Sequence, residues 1–258
     1  MERPSDARAL ASLLRARRDI DGPGMFVPPG ERAVLMARLR RLASSDPADS
    51  DCKAGPDAPC LPVQGGAAEI EAIDSITVLR RVAESCTRCA LHESRRTVVF
   101  ADGSERARVM CVGEAPGARE DETGVPFVGR AGQLLDRLLL SVGLAREDVY
   151  VANVLKCRPP GNRNPQPEEI EECSPFLRRQ VAFVEPEVVI AFGTFAAQTL
   201  LGVKESLGRL RGRVYEYEGV PLVATYHPAA LLRNPQWTRP SWEDLQTVRR
   251  LLAESADG

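Results

Sequence analysis

With 258 residues, 43% of them apolar, the chain is long enough for one packed α/β domain plus an appendage. The formal net charge is −2; residues 1–74 carry ten Lys/Arg against twelve Asp/Glu and the remainder carries 24 of each, so the body has no basic excess and any anion site must be a local patch. No window approaches 18 uninterrupted apolar residues and no signal-peptide core opens the sequence, which excludes a helical membrane span and makes the cytoplasm the expected compartment. In that compartment seven cysteines point to metal ligands or buried thiols rather than disulfides.

Residues 1–71 read as an N-terminal extension. Two stretches with helical spacing, 6–20 and 31–43, are separated by Gly/Pro breaks, and a linker rich in Ser, Asp, Pro and Gly covers 44–66. The helices offer a docking element for a protein partner; a poorly ordered tail is the plainer reading. Cys52 and Cys60 lie in the linker at a spacing that matches no common metal pattern.

The composition changes near residue 72, and 72–258 form the main domain. A helix over 74–85, with Asp74 or Ser75 as its cap, delivers Cys86–Thr87–Arg88–Cys89. A short strand at 97–100 and a turn at Asp102–Gly103 precede the opening core strand, 109–112. That strand runs into Gly113–Glu114–Ala115–Pro116–Gly117, an acidic stretch, and Pro126–Phe127–Val128–Gly129. A helix over 131–142 has Leu134, Leu135, Leu138 and Leu139 on one face and ends at Gly143. Strand 148–155 leads to a loop at 156–165, and Pro167 opens a helix to 184 with glutamates in its first turn. Strand 187–192, a helix from Gly193 to Leu201, and a hairpin of 213–217 with 221–225 follow. The second hairpin strand ends in Tyr226–His227–Pro228; 231–239 reads as a loop and 241–252 as a closing helix.

Strands alternating with helices give a three-layer α/β/α sandwich with a central four-stranded parallel sheet. The loops after Val112, Asn153 and Tyr226 all follow strand carboxyl ends, where open α/β sheets bind ligands. Cys86 and Cys89 form a C-x2-C pair at a helix end, and Cys157 and Cys173 lie at a strand end and in a helix. Four thiolates can hold zinc or a cubane iron–sulfur cluster, and ligand chemistry alone does not choose. Buried free cysteines are the remaining alternative, and Cys111, inside a strand, is read as core.

Three motifs in order, GEAPGAREDETGVPFVGRAG, NVLKCRPPGNRNP and HPAALLRNP, with C-x2-C upstream, resemble the iron–sulfur (family 4) uracil-DNA glycosylases. The resemblance covers about 73–252. It implies hydrolysis of the N-glycosidic bond of deoxyuridine in single- and double-stranded DNA, leaving an abasic site, as the first step of base excision repair. It favours a 4Fe-4S cluster on Cys86, Cys89, Cys157 and Cys173. An enzyme working on a base must extrude it, stack its face and read its edge. Phe127 is a stacking face or a core ring by sequence alone; the resemblance moves it to the pocket. The Asn153 amide, one donor and one acceptor, can pair with uracil O4 and N3–H and leave cytosine unpaired. The resemblance makes His227 a donor to uracil O2, where negative charge accumulates as the bond breaks. Glu114 can orient water and stabilise the sugar cation. Ala115, where many members carry Gly, offers its N–H to the base, and Glu120 matches the position that excludes the thymine methyl.

Lys156, Arg158, Arg163, Arg211 and Arg233 are the expected phosphate contacts, and Leu231 or Leu232 the apolar wedge into the vacated stack. A monofunctional enzyme and a monomer are expected. The extension would then recruit a repair or replication protein. The alternative is a non-catalytic iron–sulfur DNA-binding module, against which the base-reading set of Phe127, Asn153 and His227 counts.

Overall fold

The computed structural model describes residues 66–255. The expected helices at 6–20 and 31–43, the linker before residue 66, and Cys52 and Cys60 lie outside the described residues.

Six strands form one sheet: β1 (Asp102–Gly103), β2 (Val109–Gly113), β3 (Val149–Asn153), β4 (Val188–Phe192), β5 (Val214–Tyr217) and β6 (Val220–Thr225), in the spatial order β1-β3-β2-β4-β6-β5. The four inner strands, β3, β2, β4 and β6, are mutually parallel, and β1 and β5 pair antiparallel at the edges. Every residue of β2, β3 and β4 is buried. A parallel strand covered on both faces needs apolar side chains both ways, which is why VMCV, VYVA and VVIAF read as continuous apolar runs.

Alternation along these strands divides the core in two. Met110, Val112, Tyr150, Ala152, Val189 and Ala191 face one layer, packed under α2 (Ile76–Glu84), α5 (Pro167–Val184) and α6 (Thr194–Leu201). Val109, Cys111, Val149, Val151, Val188 and Ile190 face the other, under α4 (Arg130–Leu140) and the last helix, α9 (Thr238–Glu254). The three-layer sandwich expected from the sequence is therefore observed, and Cys111 is core. Residues 218–219 close the β5–β6 hairpin, both with positive φ (+49° and +79°), the geometry of a two-residue primed turn.

The structure departs from the sequence reading in five places. A first helix, α1 (Ala67–Glu71), assigned to the extension, packs on α5; Ile70 is buried and Glu71 pairs with Arg178 at 2.8 Å. Residues 97–100 form no strand: Val99 N–H donates to Lys156 O, one rung rather than a ladder. Asp102–Gly103 is not only a turn but the edge strand β1. The acidic stretch folds as α3 (Ala118–Thr123). Its Asp121 is buried and accepts from the N–H groups of Arg96 (2.9 Å) and Thr97 (3.4 Å), so a distant segment fixes the helix. Finally 231–239 is largely helical, with α8 (Pro228–Arg233), a short turn at Pro235–Trp237 and the start of α9. The remaining helix, α7 (Leu207–Leu210), is one turn long.

Candidate active site

In space the parallel strands run in the order second, first, third, fourth, so the chain reverses its direction of winding between β2 and β4. That switch point, at the strand carboxyl ends, is where a crevice opens in such sheets. A cleft of about 750 Å³ lies there. Glu114 and Ala115 enter it from the end of β2, Asn153 from β3, Gly193 from β4 and His227 after β6; Glu120 and Phe127 come from the segment between β2 and α4. All six residues chosen from the sequence for base binding and chemistry thus line one cavity.

The floor is made by close approach. Gly113, in register with Asn153, leaves no room for a side chain: a Cβ would stand 2.4 Å from Asn153 Oδ1 and 2.6 Å from Phe127 Cζ. Asn153 is 2% exposed, and its carboxamide makes no hydrogen bond to a described residue. Phe127 sits at φ +54°, a conformation that costs a non-glycine residue energy and is found where surroundings enforce it. The enforcement is visible. Glu120 Oε1 accepts from Val128 N–H (3.1 Å) and Gly129 N–H (3.4 Å). Gly132 admits the Phe127 carbonyl to 1.6 Å of where a Cβ would be. The ring packs edge-on to Phe192 (6.3 Å) and stacks with His227 (5.4 Å).

His227 caps α8, and its Nδ1 accepts from Ala229 N–H at 3.1 Å. With Nδ1 as acceptor the proton of the neutral ring belongs on Nε2. Burial of the ring, reinforced by Arg233, pushes its pKa down to about 4, so the imidazole is neutral at pH 7. Burial acts oppositely on Glu114, raising its carboxyl above the ordinary value.

The "Uracil DNA glycosylase superfamily" profile matches residues 100–246. The chain is 44% identical to a type-4 uracil-DNA glycosylase of Archaeoglobus fulgidus over 193 residues, 72% of this chain and 96% of that protein. It is 46% identical to a type-4 enzyme of Thermotoga maritima over 66% of this chain and 90% of the relative. A type-5 uracil-DNA glycosylase of Pyrobaculum aerophilum is 36% identical over 60% of this chain. The chain belongs to the uracil-DNA glycosylase superfamily.

In this glycosylase-family chain the expected phosphate contacts fare unequally. Arg163 and Arg233 line the cleft, and Arg158 lies on the same loop with Nε on Asn162 Oδ1 (2.8 Å). Arg163 also forks onto the buried Glu169 (2.5 and 2.9 Å), which offsets its charge. Lys156 must be corrected. It is 2% exposed, and its ammonium donates to Asn153 O (2.7 Å) and Gln180 Oε1 (2.6 Å), out of reach of a phosphate. Arg211 is a pillar rather than a phosphate contact: it pairs with buried Asp244 (2.7 Å) and lies over Tyr226, which stacks on Trp237 at 4.6 Å. Leu231 is buried in the core and cannot wedge, whereas Leu232 is 43% exposed. Sequence reasoning missed Arg130 and Trp237 in the cleft lining. Arg130 had a signal, its place directly after the Gly129 cap; Trp237 had none.

The four cysteines line a second, small cavity between the end of α2, the loop after β3 and α5. Arg95 Nη1 donates to Cys157 Sγ and Lys156 N–H to Cys173 Sγ, each at 3.3 Å. Burial pushes the thiols of Cys89, Cys157 and Cys173 up, the last to about 12. Convergent thiols with N–H donors on their sulfurs are a donor set suited to a thiolate-bound metal. Among the described residues, however, no three of the His, Cys, Asp or Glu side chains are arranged to hold a single ion. Nor is any described helix long and apolar enough to cross a membrane.

Proposed function

We propose that this chain is a monofunctional uracil-DNA glycosylase that hydrolyses the N-glycosidic bond of deoxyuridine in single- and double-stranded DNA, leaving an abasic site for base excision repair. The convergence of the Phe127 ring, the Asn153 carboxamide and the His227 imidazole in one cleft carries the reading. The extruded uracil stacks on Phe127. Asn153, with its amide unspent on protein partners, donates to O4 and accepts from N3–H; cytosine would present the opposite pattern and leave both groups unpaired. As the bond between C1′ and N1 breaks, its electron pair stays with the base. His227 Nε2–H points its dipole at O2, where that charge gathers, and so acts more strongly in the transition state than in the ground state. Glu114, partly stripped of water, faces the developing sugar cation and takes a proton from the water that adds to C1′. Glu120, itself in the cleft lining, stands against the position of uracil C5 and excludes the thymine methyl, and its carboxylate also staples the loop that carries Phe127. Ala115 offers its N–H at the rim, and Arg158, Arg163, Arg233 and Leu232 engage the DNA.

Cys86, Cys89, Cys157 and Cys173 would hold a 4Fe-4S cluster. Thiolates around one zinc, each about 2.3 Å from it, crowd within about 4 Å of one another. A cubane gives every thiolate its own iron and tolerates a wider set, which is how four converging thiols fit although no three suit a single ion. Held by these four cysteines, the cluster would supply a crosslink between the end of α2, the loop after Asn153 and α5. Cysteines used as metal ligands and, at Cys111, as core fit a reducing compartment such as the cytoplasm.

The test is uracil release from single- and double-stranded oligonucleotides by the full chain, with iron measured in the same preparation. Release by wild type but not by Asn153→Ala or His227→Ala, with iron retained in both, is expected. Tight uracil-DNA binding without product would favour the non-catalytic module instead.

A further inference from the structure

Beside the base cleft runs a second groove of about 610 Å³, whose walls continue those of the cleft. On one side α4 contributes Ala131 to the cleft and then Leu134, Leu138 and Ser141 to the groove, at helical spacing, so a single helix face borders both. On the other side Trp237 lines the cleft while Pro235 and Gln236 line the groove. At a rise of 1.5 Å per residue, Ala131 to Leu138 spans about 10 Å. That is about three phosphate spacings of a stacked strand.

The groove has a particular chemistry. Its charged lining residues are Arg137 and Arg239, and no carboxylate lines it. Arg239 does touch Glu243, a turn further along α9, at 3.2 Å; both side chains are more than half exposed, and such pairs yield readily to a phosphate. Trp242 forms part of the wall and remains 43% exposed. An indole face, an aliphatic floor and two guanidinium groups are what a single nucleic-acid strand uses: bases stack on the ring and phosphates meet the cations. A protein partner could use the apolar floor, but only a strand already seated in the cleft would reach this groove by continuing along α4.

We infer that the groove is a subsite for single-stranded DNA flanking the target nucleotide. A base about three nucleotides from the extruded one stacks on Trp242, and its phosphates meet Arg137 and Arg239. The inference rests on the base-excision reading of the neighbouring cleft, and neither Trp242 nor the two arginines lines that cleft.

The experiment uses the full chain and two substrates. Binding of an undamaged oligothymidylate 16-mer is read by anisotropy across a salt series, and uracil release is measured on a uracil-containing trinucleotide. Trp242→Ala should weaken 16-mer binding roughly tenfold and Trp242→Phe should restore it, because the ring and not the indole N–H supplies the stacking. Arg137→Ala with Arg239→Ala should lower the salt slope by about 1 to 2 units. Release from the trinucleotide should match wild type in every variant. Binding of the 16-mer within twofold of wild type in Trp242→Ala would overturn the subsite and leave the groove to another partner. A wild-type chain that binds the 16-mer through Trp242 but releases no uracil would overturn the glycosylase reading instead.

Discussion

Replacing Gly113 by alanine asks how finely the base pocket is set. A Cβ at Gly113 would lie 2.4 Å from Asn153 Oδ1 and 2.6 and 2.8 Å from Phe127 Cζ and Cε2, whereas ordinary contact begins near 3.4 Å. The carboxamide must therefore retreat by about 1.0 Å and the ring by about 0.8 Å. The open space beside both is the cleft that the base itself must fill. Asn153 is 2% exposed, and Phe127 is held between Phe192 and His227. A misplacement of about 1 Å in a reacting assembly costs on the order of 10²-fold in rate. Single-turnover release from a fluorescent uracil oligonucleotide should fall by that factor, while overpacking lowers stability by about 1–3 kcal/mol. Running the assay well below a melting transition followed by circular dichroism separates the two effects. A folded Gly113→Ala protein that releases uracil within threefold of wild type would refute the claim that this floor positions the base.

Other perturbations read separate parts of the site. His227→Ala should slow release by about 10²–10³, the usual cost of one preorganised donor; a loss under fivefold would mean Nε2–H does not meet the base. In the proposed reaction Glu114 acts as the carboxylate, and burial raises its pKa, so activity should fall as pH drops through a value above that of an ordinary glutamate. His227, titrating near 4, should add no limb around 6.5, and Glu114→Gln should give a low rate without the acid limb. Lys156→Met strips donors from Asn153 O and Gln180 Oε1, which should cost about 1–3 kcal/mol of stability and slow release; unchanged DNA affinity in the same variant would confirm that Lys156 is not a phosphate contact. Cys157→Ser should lower both iron content and melting temperature, and full iron occupancy would reject that ligand.

What the sequence conveyed depended on the range of the interaction concerned. The inner strands were legible because burial on both faces imposes apolar runs, and the convergence of Asn153 and His227 was legible because both follow strand ends, whereas Phe127 was placed in the cleft only by the resemblance. Helix α3 was not, since AREDET has no apolar face and Asp121 finds its partners about 25 residues away at Arg96 and Thr97. The charges misled for the same reason. Lys156 and Arg211 look like surface cations until Gln180 and Asp244 arrive from distant helices. Two adjacent leucines on a helix point about 100° apart, so the phase of α8 decides that Leu231 enters the core and Leu232 faces out; reading that segment as a loop concealed the choice.

The His227–Pro228 pair shows how local sequence can fix a chemical state. A helix begins with unsatisfied N–H groups, and Pro228, at the first helical position, brings none. The first free amide is then that of Ala229, and it is the one that occupies Nδ1. The tautomer follows, with the remaining proton turned away from the helix on Nε2. Burial and Arg233 resist a second proton. A charged imidazolium would attract phosphates and the neutral base environment alike, favouring bound DNA before the bond stretches. In the proposed reaction a neutral donor held by the backbone has little to gain until charge appears on the leaving base, so its contribution would fall on the step being accelerated rather than on binding.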